Sequence, residues 1–173
     1  MPDPVALAVV LAAGKGTRMK SELPKVLAPV CGRPMIRYVV EALLEAGVAP
    51  VVVVVGYRSD LVRQELADVP QVEFAEQAEQ LGTGHAVMMC REHLAAHQGP
   101  VVVVTGDSPM LQASSVRKLL EAFRAEGAAC ALGTVQRDDP SGFGRIVRDA
   151  EGRFVGIVEE KDATPEQRAI REV

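Results

Sequence analysis

Residues 11–25 read LAAGKGTRMKSELPK, in which two glycines, Gly14 and Gly16, stand among four cations, Lys15, Arg18, Lys20 and Lys25. The preceding run VALAVV (5–10) is wholly apolar, so a buried strand delivers the chain to a flexible, positively charged loop. Glycine has no Cβ, which lets successive backbone N–H groups close on an anion and form a nest. Arg18 offers a planar fork for a phosphate, and Lys25 a mobile point charge. The loop is not a P-loop, because GxxxxGK[ST] is absent. It is not a dinucleotide fingerprint either, since the third glycine is missing and Pro24 interrupts any immediate helix. A glycine-rich surface loop with solvated cations is the competing reading. Its place after a first strand, and its charge, favour phosphate.

Two further stretches carry chemistry. In VVVVTGDSP, Asp107 follows an apolar strand directly, and a carboxylate there projects into the crevice where open α/β sheets bind ligands. Beside bound phosphates it would hold Mg²⁺; as a cap before Ser108-Pro109 it would only shape a turn. In QAEQLGTGHA (77–86), Gln77 closes a strand, and its amide can read a base edge with donor and acceptor together. Gly82 permits close approach of a flat ring, and Thr83 offers a hydroxyl and an N-cap. His85 reads as structural or substrate-near, not as a catalytic base. DPSGFGRIVRD and GIVEEKDA place Gly142 and Gly144 around Phe143 in a glycine-bordered turn, and put Glu159 at a strand end where it could accept from sugar hydroxyls.

The elements that must position these residues are legible from pattern. VALAVVLAA (5–13), VVVVVG (51–56), VEFAEQ (72–77) and VVVVTG (101–106) are apolar, β-branched runs. Valine without alternation implies strands covered on both faces. Pro34 opens a helix in which Met35, Ile36, Val39, Val40, Leu43 and Leu44 repeat at helical spacing, closed by Gly47. Further helices are expected over 59–66, over 83–97 and from an N-cap at Ser114 or Ser115, with Val116, Leu119, Leu120 and Phe123 inward. Strand and helix alternate, which implies a three-layer, Rossmann-like α/β fold with a mostly parallel sheet. A C-terminal hairpin follows, RIVRD and RFVGIVEE around Ala150-Glu151-Gly152. A last helix starts at Thr164 with Pro165 at its first position and Gln167 completing a capping box. One domain is expected over 1–173.

The chain has 173 residues, 48% of them hydrophobic and 24% charged, with a net charge of −4. This is a soluble globular composition, and its acidity argues against nucleic-acid and membrane-surface partners. Cys31, Cys90 and Cys130 form no CxxC pair, as expected of reduced cysteines in a cytoplasmic protein. Asp3 and Pro4 occupy the place of a signal peptide's basic region, so no leader is expected. The apolar runs are too short to span a bilayer.

LAAGKGTRM, PKVL, QAEQLGTGHA, GDSP, DPSGFGRI, GIVEEKDAT and EQRAIREV, in that order, resemble the sugar-1-phosphate nucleotidylyltransferases. In detail they are similar to the uridylyltransferase half of the bacterial bifunctional uridylyltransferase/acetyltransferases. The resemblance implies a nucleotide-diphospho-sugar transferase fold. The implied reaction joins UTP to N-acetyl-α-D-glucosamine 1-phosphate, with Mg²⁺, giving UDP-N-acetylglucosamine, a cell-envelope precursor, and pyrophosphate. By that likeness Leu11, Ala12, Ala13 and Gly14 line the nucleotide site with main chain, and Arg18 and Lys25 are catalytic and bind phosphates. Gln77, Gly82 and Thr83 recognise uracil. Thr105 and Gly106 lie beside the nucleotide, Asp107 holds the metal, and Gly144 and Glu159 hold the sugar. Thr105 departs from the commoner pattern, where tyrosine often stands.

The family's substrate-contacting Asn, its second metal ligand and its β-helix acetyltransferase domain are expected beyond Val173. The reading is therefore of a C-terminally incomplete nucleotidyltransferase domain, monomeric without the trimerising part. Two alternatives stand beside it. One is another nucleotidyltransferase of the same opening loop, a molybdenum-cofactor guanylyltransferase or a cytidylyltransferase. The other is a nucleotide-binding module without activity.

Overall fold

The computed structural model describes residues 4–16 and 22–173. The chain packs as two compact units, Met1–Arg124 and Ala125–Val173, where the sequence leads one to expect a single domain over 1–173. The boundary falls at the end of a helix, just before Gly127 at φ 57°.

The first unit holds a four-stranded, fully parallel sheet in the order β5-β4-β1-β6, formed by β1 (Leu7–Leu11), β4 (Val51–Val55), β5 (Val72–Glu76) and β6 (Val101–Thr105). The two faces of its strands bury different partners. Ala8 and Val10 of β1, with Val51, Val53 and Val55 of β4, pack against Ile36, Val39, Val40 and Leu43 of α1 (Met35–Glu45). Val62 of α2 (Ser59–Glu65) and Val116 and Leu120 of α5 (Ala113–Ala125) join the same layer. Val9, Val52, Val54 and Ala75 face Ala86 of α3 (Thr83–Met88) and Cys90 on the other side. This gives three layers, and all five valines of β4 are fully buried. In β1 and β4 unalternated valine is explained, since each face has its own helical cover. Strand β6 departs from the expectation: it lies at the sheet edge, and Val101 and Val103 are 42% and 47% exposed, so its valine run is covered on one face only.

Several boundaries differ from expectation. The helix over 83–97 is broken into α3 and α4 (Arg91–Ala96), with Met89 and Cys90 between them. Apolar spacing runs on through the break, so periodicity does not mark it. Gly82, at φ 103°, is the N-cap of α3 in place of Thr83. Helix α5 starts at Ala113, ahead of Ser114 and Ser115, whose amide N–H at Ser115 bonds to Gln112 O. Pro34 caps α1 from outside the first turn. A small antiparallel pair, β2 (Pro29–Val30) and β3 (Arg33–Pro34), turns through Cys31 and Gly32, both at positive φ as a two-residue I′ turn needs.

In the second unit, β7 (Arg145–Arg148) and β8 (Phe154–Val158) form the expected hairpin, with Gly152 at φ 79° in its turn. Helix α6 (Pro165–Arg168) has the expected start: the Thr164 hydroxyl accepts from Gln167 N–H, and the Gln167 side chain accepts from Thr164 N–H. Arg145, only 2% exposed, donates to the carbonyls of Phe143 and Arg168 and pairs with Glu160 at 3.5 Å.

Candidate functional site

The carboxyl ends of the parallel strands converge on a cleft of about 370 Å³, within the range of small-ligand sites. One wall is the main chain leaving β1, Leu11 to Gly14 with Gly16. The opposite side carries Gln77, Gln80, Gly82 and Thr83. Lys25, Val26, Thr105 and Asp107 complete it. Of the site residues expected from sequence within this unit, Gly106 does not line the cleft and Arg18 lies outside the described residues.

Local sequence explains how the walls are set. Pro24 starts a 3₁₀ turn over Lys25–Leu27, in which Leu27 N–H bonds to Pro24 O at 2.9 Å. Val26 is buried in the core, which anchors the turn and leaves Lys25 at the cleft. Gly16 sits at φ 69°, and a Cβ there would stand 2.6 Å from Lys25 Cβ. Glycine is required at that position for conformation and space together. Gly106 N–H bonds to Leu11 O at 2.9 Å, and a Cβ on Gly106 would meet Val26 at 3.1 Å. It props the wall from behind by bringing the end of β6 close to β1.

Ala13 O ties three loops together. It accepts from Tyr57 N–H at 3.2 Å and from Gln80 Nε2–H at 2.8 Å, so the connections after β1, β4 and β5 meet on one carbonyl. A Cβ at Gly56 would stand 2.9 Å from Gln77 O and 3.0 Å from Ala13. Gln80 was not among the residues expected from sequence; it is one of several polar residues in a loop, and only the fold shows where its amide ends.

The charges are arranged sparsely. Lys25 Nζ lies 2.5 Å from Asp107 Oδ2, a contact that joins the first loop to the end of β6. Burial raises the Asp107 pKa, but hydrogen bonds from Lys25 and Thr105 outweigh it and hold the carboxyl below the usual range. The group is therefore ionised at neutral pH. Thr105 Oγ1 also shares a 2.8 Å hydrogen bond with Ser108 Oγ. Lys15 does not line the cleft; its Nζ sits 5.1 Å from the centroid of the Tyr57 ring. Lys20, like Arg18, lies outside the described residues.

Gln77 is 4% exposed, and its Nε2 donates to Gly82 O at 3.2 Å and meets His85 Nδ1 at 3.0 Å. Cys90 is buried in the core, which pushes its thiol pKa up and makes it no candidate nucleophile. In the second unit the hairpin register pairs Arg145 with Val158, so Gly144 and Glu159 stand at the same end, one residue beyond the paired positions. Glu159 is exposed, and a Cβ on Gly144 would meet Ile157 Cγ2 at 3.0 Å.

Residues 8–164 match the family described as the MobA-like NTP transferase domain. The chain belongs to that family. Over 96% of its length it is 50% identical to the Bifunctional protein GlmU of Pelotomaculum thermopropionicum, of which it covers 36%, and 48% identical to that of Geobacter metallireducens, of which it covers 35%. It thus spans about a third of the length of the curated relatives it matches. The likeness read from the motifs is carried by this level of identity. Among solved structures, a nucleotidyl transferase from Methanothermobacter aligns over 68% of this chain and 57% of its own, with TM-score 0.59 and 28% identity. HddC from Yersinia pseudotuberculosis, solved with GMP-PN, covers 90% of this chain and 69% of its own at TM-score 0.68 and 23% identity, a likeness of fold alone. Family and fold support nucleotidyl-transfer chemistry. No helix among the described residues is long and apolar enough to cross a membrane.

Proposed function

We propose that the cleft binds UTP and that the domain transfers its uridylyl group to N-acetyl-α-D-glucosamine 1-phosphate, releasing pyrophosphate. The observation that carries this is the grouping, in one cleft, of the β1 loop backbone, the Gln77–Thr83 wall and the Lys25–Asp107 pair. Half-identity to GlmU proteins supports the choice of base and sugar. The nucleophile is the sugar's phosphate, already ionised near neutrality because its second pKa is about 6. No Ser–His–Asp or Cys–His set is needed. The protein's task is to align that oxygen with the α-phosphorus and to offset the charge of two crowded anions.

In this reading the amides of Leu11–Gly14 cradle the phosphates. Lys25 leaves Asp107 to meet the negative charge growing on the departing pyrophosphate, and Arg18 is assigned a share of the same charge. Gln77, Gly82 and Thr83 hold the base, Thr105 lies beside the nucleotide, and Gly106 acts from behind the wall by holding the end of β6 against β1. Gly144 and Glu159 are assigned to the sugar.

Asp107 fits the role of a Mg²⁺ ligand, being an ionised, hard oxygen donor at the cleft. Among the described residues no group of three or more His, Cys, Asp and Glu could hold a metal, so a cation on Asp107 would take its remaining oxygens from phosphates and water. A cation bound there supplies charge neutralisation and polarises the α-phosphate. The role asked of Asp107 itself is to present one carboxylate oxygen and to release Lys25.

The test is pyrophosphate release from UTP and N-acetylglucosamine 1-phosphate with Mg²⁺, beside a thermal-shift panel of UTP, CTP, GTP and ATP. Bound ligand stabilises by RT ln(1 + [L]/Kd). UTP should give the largest shift, with release of pyrophosphate only when the sugar phosphate is present. The largest shift with GTP would turn the assignment toward guanylyl transfer, and binding without release would reduce the domain to a nucleotide-binding module.

A further inference from the structure

The Gln77 amide is held in one orientation, and this decides what it can read. Its Nε2 faces Gly82 O at 3.2 Å and His85 Nδ1 at 3.0 Å. A backbone carbonyl can only accept, so the nitrogen must point at Gly82; the flipped amide would set two oxygens against each other. The second N–H then goes to His85 Nδ1, which must offer a lone pair, and the imidazole proton therefore sits on Nε2. Both amide hydrogens are spent on the protein. At 4% exposure the group has no room to reorient freely, and its oxygen is what remains for a ligand in the cleft it lines. That oxygen accepts and cannot donate.

We infer that His85, together with the Gly82 carbonyl, is a positioning residue that locks the Gln77 amide with its oxygen toward the base, so that the site selects bases carrying a ring N–H. Uracil N3–H and guanine N1–H satisfy such an acceptor. Cytosine N3 and adenine N1 bring a lone pair to the same place and repel it. This rests on the reading of the cleft as the nucleotide site and goes beyond it by assigning the selection to a residue outside the base contacts. His85 gains a role distinct from proton transfer. Its tautomer is fixed from below by an amide, so its free ring nitrogen is not available at Nδ1 for a reacting group.

The experiment has two arms. In the first, UTP and CTP affinities and kcat/KM for each are compared in the wild type, His85→Leu and His85→Asn. Leucine removes the acceptor, and the UTP-over-CTP ratio should fall about tenfold, the scale of one net hydrogen bond, with the loss in KM while kcat for UTP is retained. Asparagine can place a side-chain oxygen near the Nδ1 position and should restore most of the ratio. A ratio unchanged in His85→Leu, or a fall that His85→Asn does not repair, overturns the inference. In the second arm, long-range ¹H–¹⁵N spectra of the unliganded wild-type protein should show His85 Nδ1 as the unprotonated nitrogen. A proton on Nδ1 would overturn the amide lock, whatever the variants do. Failure of both triphosphates to bind the wild type would sink the reading of the cleft and the base selection with it, while the spectrum still decides the lock.

Discussion

Replacing Asp107 by Asn separates what the Lys25–Asp107 contact does for the fold from what it does for chemistry. At 2.5 Å two unit charges attract by about 1.7 kcal/mol at the dielectric of water. Lys25 is 46% exposed and Asp107 26%, so side-chain ordering and screening take back much of that, and pairs this open are worth about 0.2–1 kcal/mol. The variant keeps shape and a hydrogen-bond acceptor, and Lys25 can hydrate. The stability loss at neutral pH should therefore be at most about 1 kcal/mol, or about 2–4 °C in Tm for a chain of this size. Because the folded carboxyl titrates below its usual range, the contribution is fully present above the unfolded carboxylate pKa. It is lost as pH falls through the folded value, so wild type and variant should converge in acid. Transfer should respond quite differently, falling on the order of 10²-fold or more, the scale of one preorganised charge interaction. Urea titrations at several pH values, with pyrophosphate release at saturating substrates, measure both. Near-wild-type turnover would refute the role given to Asp107, and a Tm drop of about 10 °C or more would show the pair to be a structural support.

Other perturbations follow from the same geometry. Gly16→Ala should cost about 1–2 kcal/mol from its left-handed backbone and displace Lys25, so that denaturation midpoint and turnover fall together. Lys25→Ala, and equally Arg18→Ala, should lower transfer on the order of 10²-fold with little change in melting temperature; normal turnover in both would remove the loop from the mechanism. Arg145→Met should destabilise the second unit by about 1–3 kcal/mol, since it takes the donor from two carbonyls while Glu160, 39% exposed, can hydrate, read as an earlier transition for that unit in denaturant. Glu172 is held down to about 2 by Arg148 and Thr134, so its stabilising effect is present above the normal glutamate pKa and lost as pH falls through about 2. An NMR titration should find it there, and Arg148→Ala should return it toward the ordinary range.

The layered fold could be read from the chain because its strongest signals are local. Five consecutive valines at 51–55 have no other economical placement than the middle of a covered sheet, and Thr164, Pro165 and Gln167 specify a helix start among themselves. Where two readings compete locally, the sequence leaves the outcome to packing. The break at Met89–Cys90 falls inside unbroken apolar spacing, and Gly82 takes the cap from Thr83 where residue type alone ranks the two about equally. The two-residue turn at Cys31–Gly32 has a glycine signal, but its cysteine at φ 50° gives none. The candidate cleft was legible as a list of residues and not as a set of pairings. Lys25 and Asp107 each appear as a ligand for something else, and their contact across 82 positions depends on β1 and β6 lying side by side. Gln80 and His85 lie in QAEQLGTGHA, but nothing in that stretch says what their side chains meet; the amide and imidazole acquire meaning from Ala13 O and Gln77 Nε2, which the fold brings to them.

The convergence of Tyr57 N–H and Gln80 Nε2–H on the single carbonyl of Ala13, with no space for a methyl at Gly56, bears on redesign. The three crossovers interlock at that point, so a loop borrowed from a paralogue will seat poorly unless its two neighbours are grafted with it. The three loops form one cassette, and recombination schemes should cut outside it.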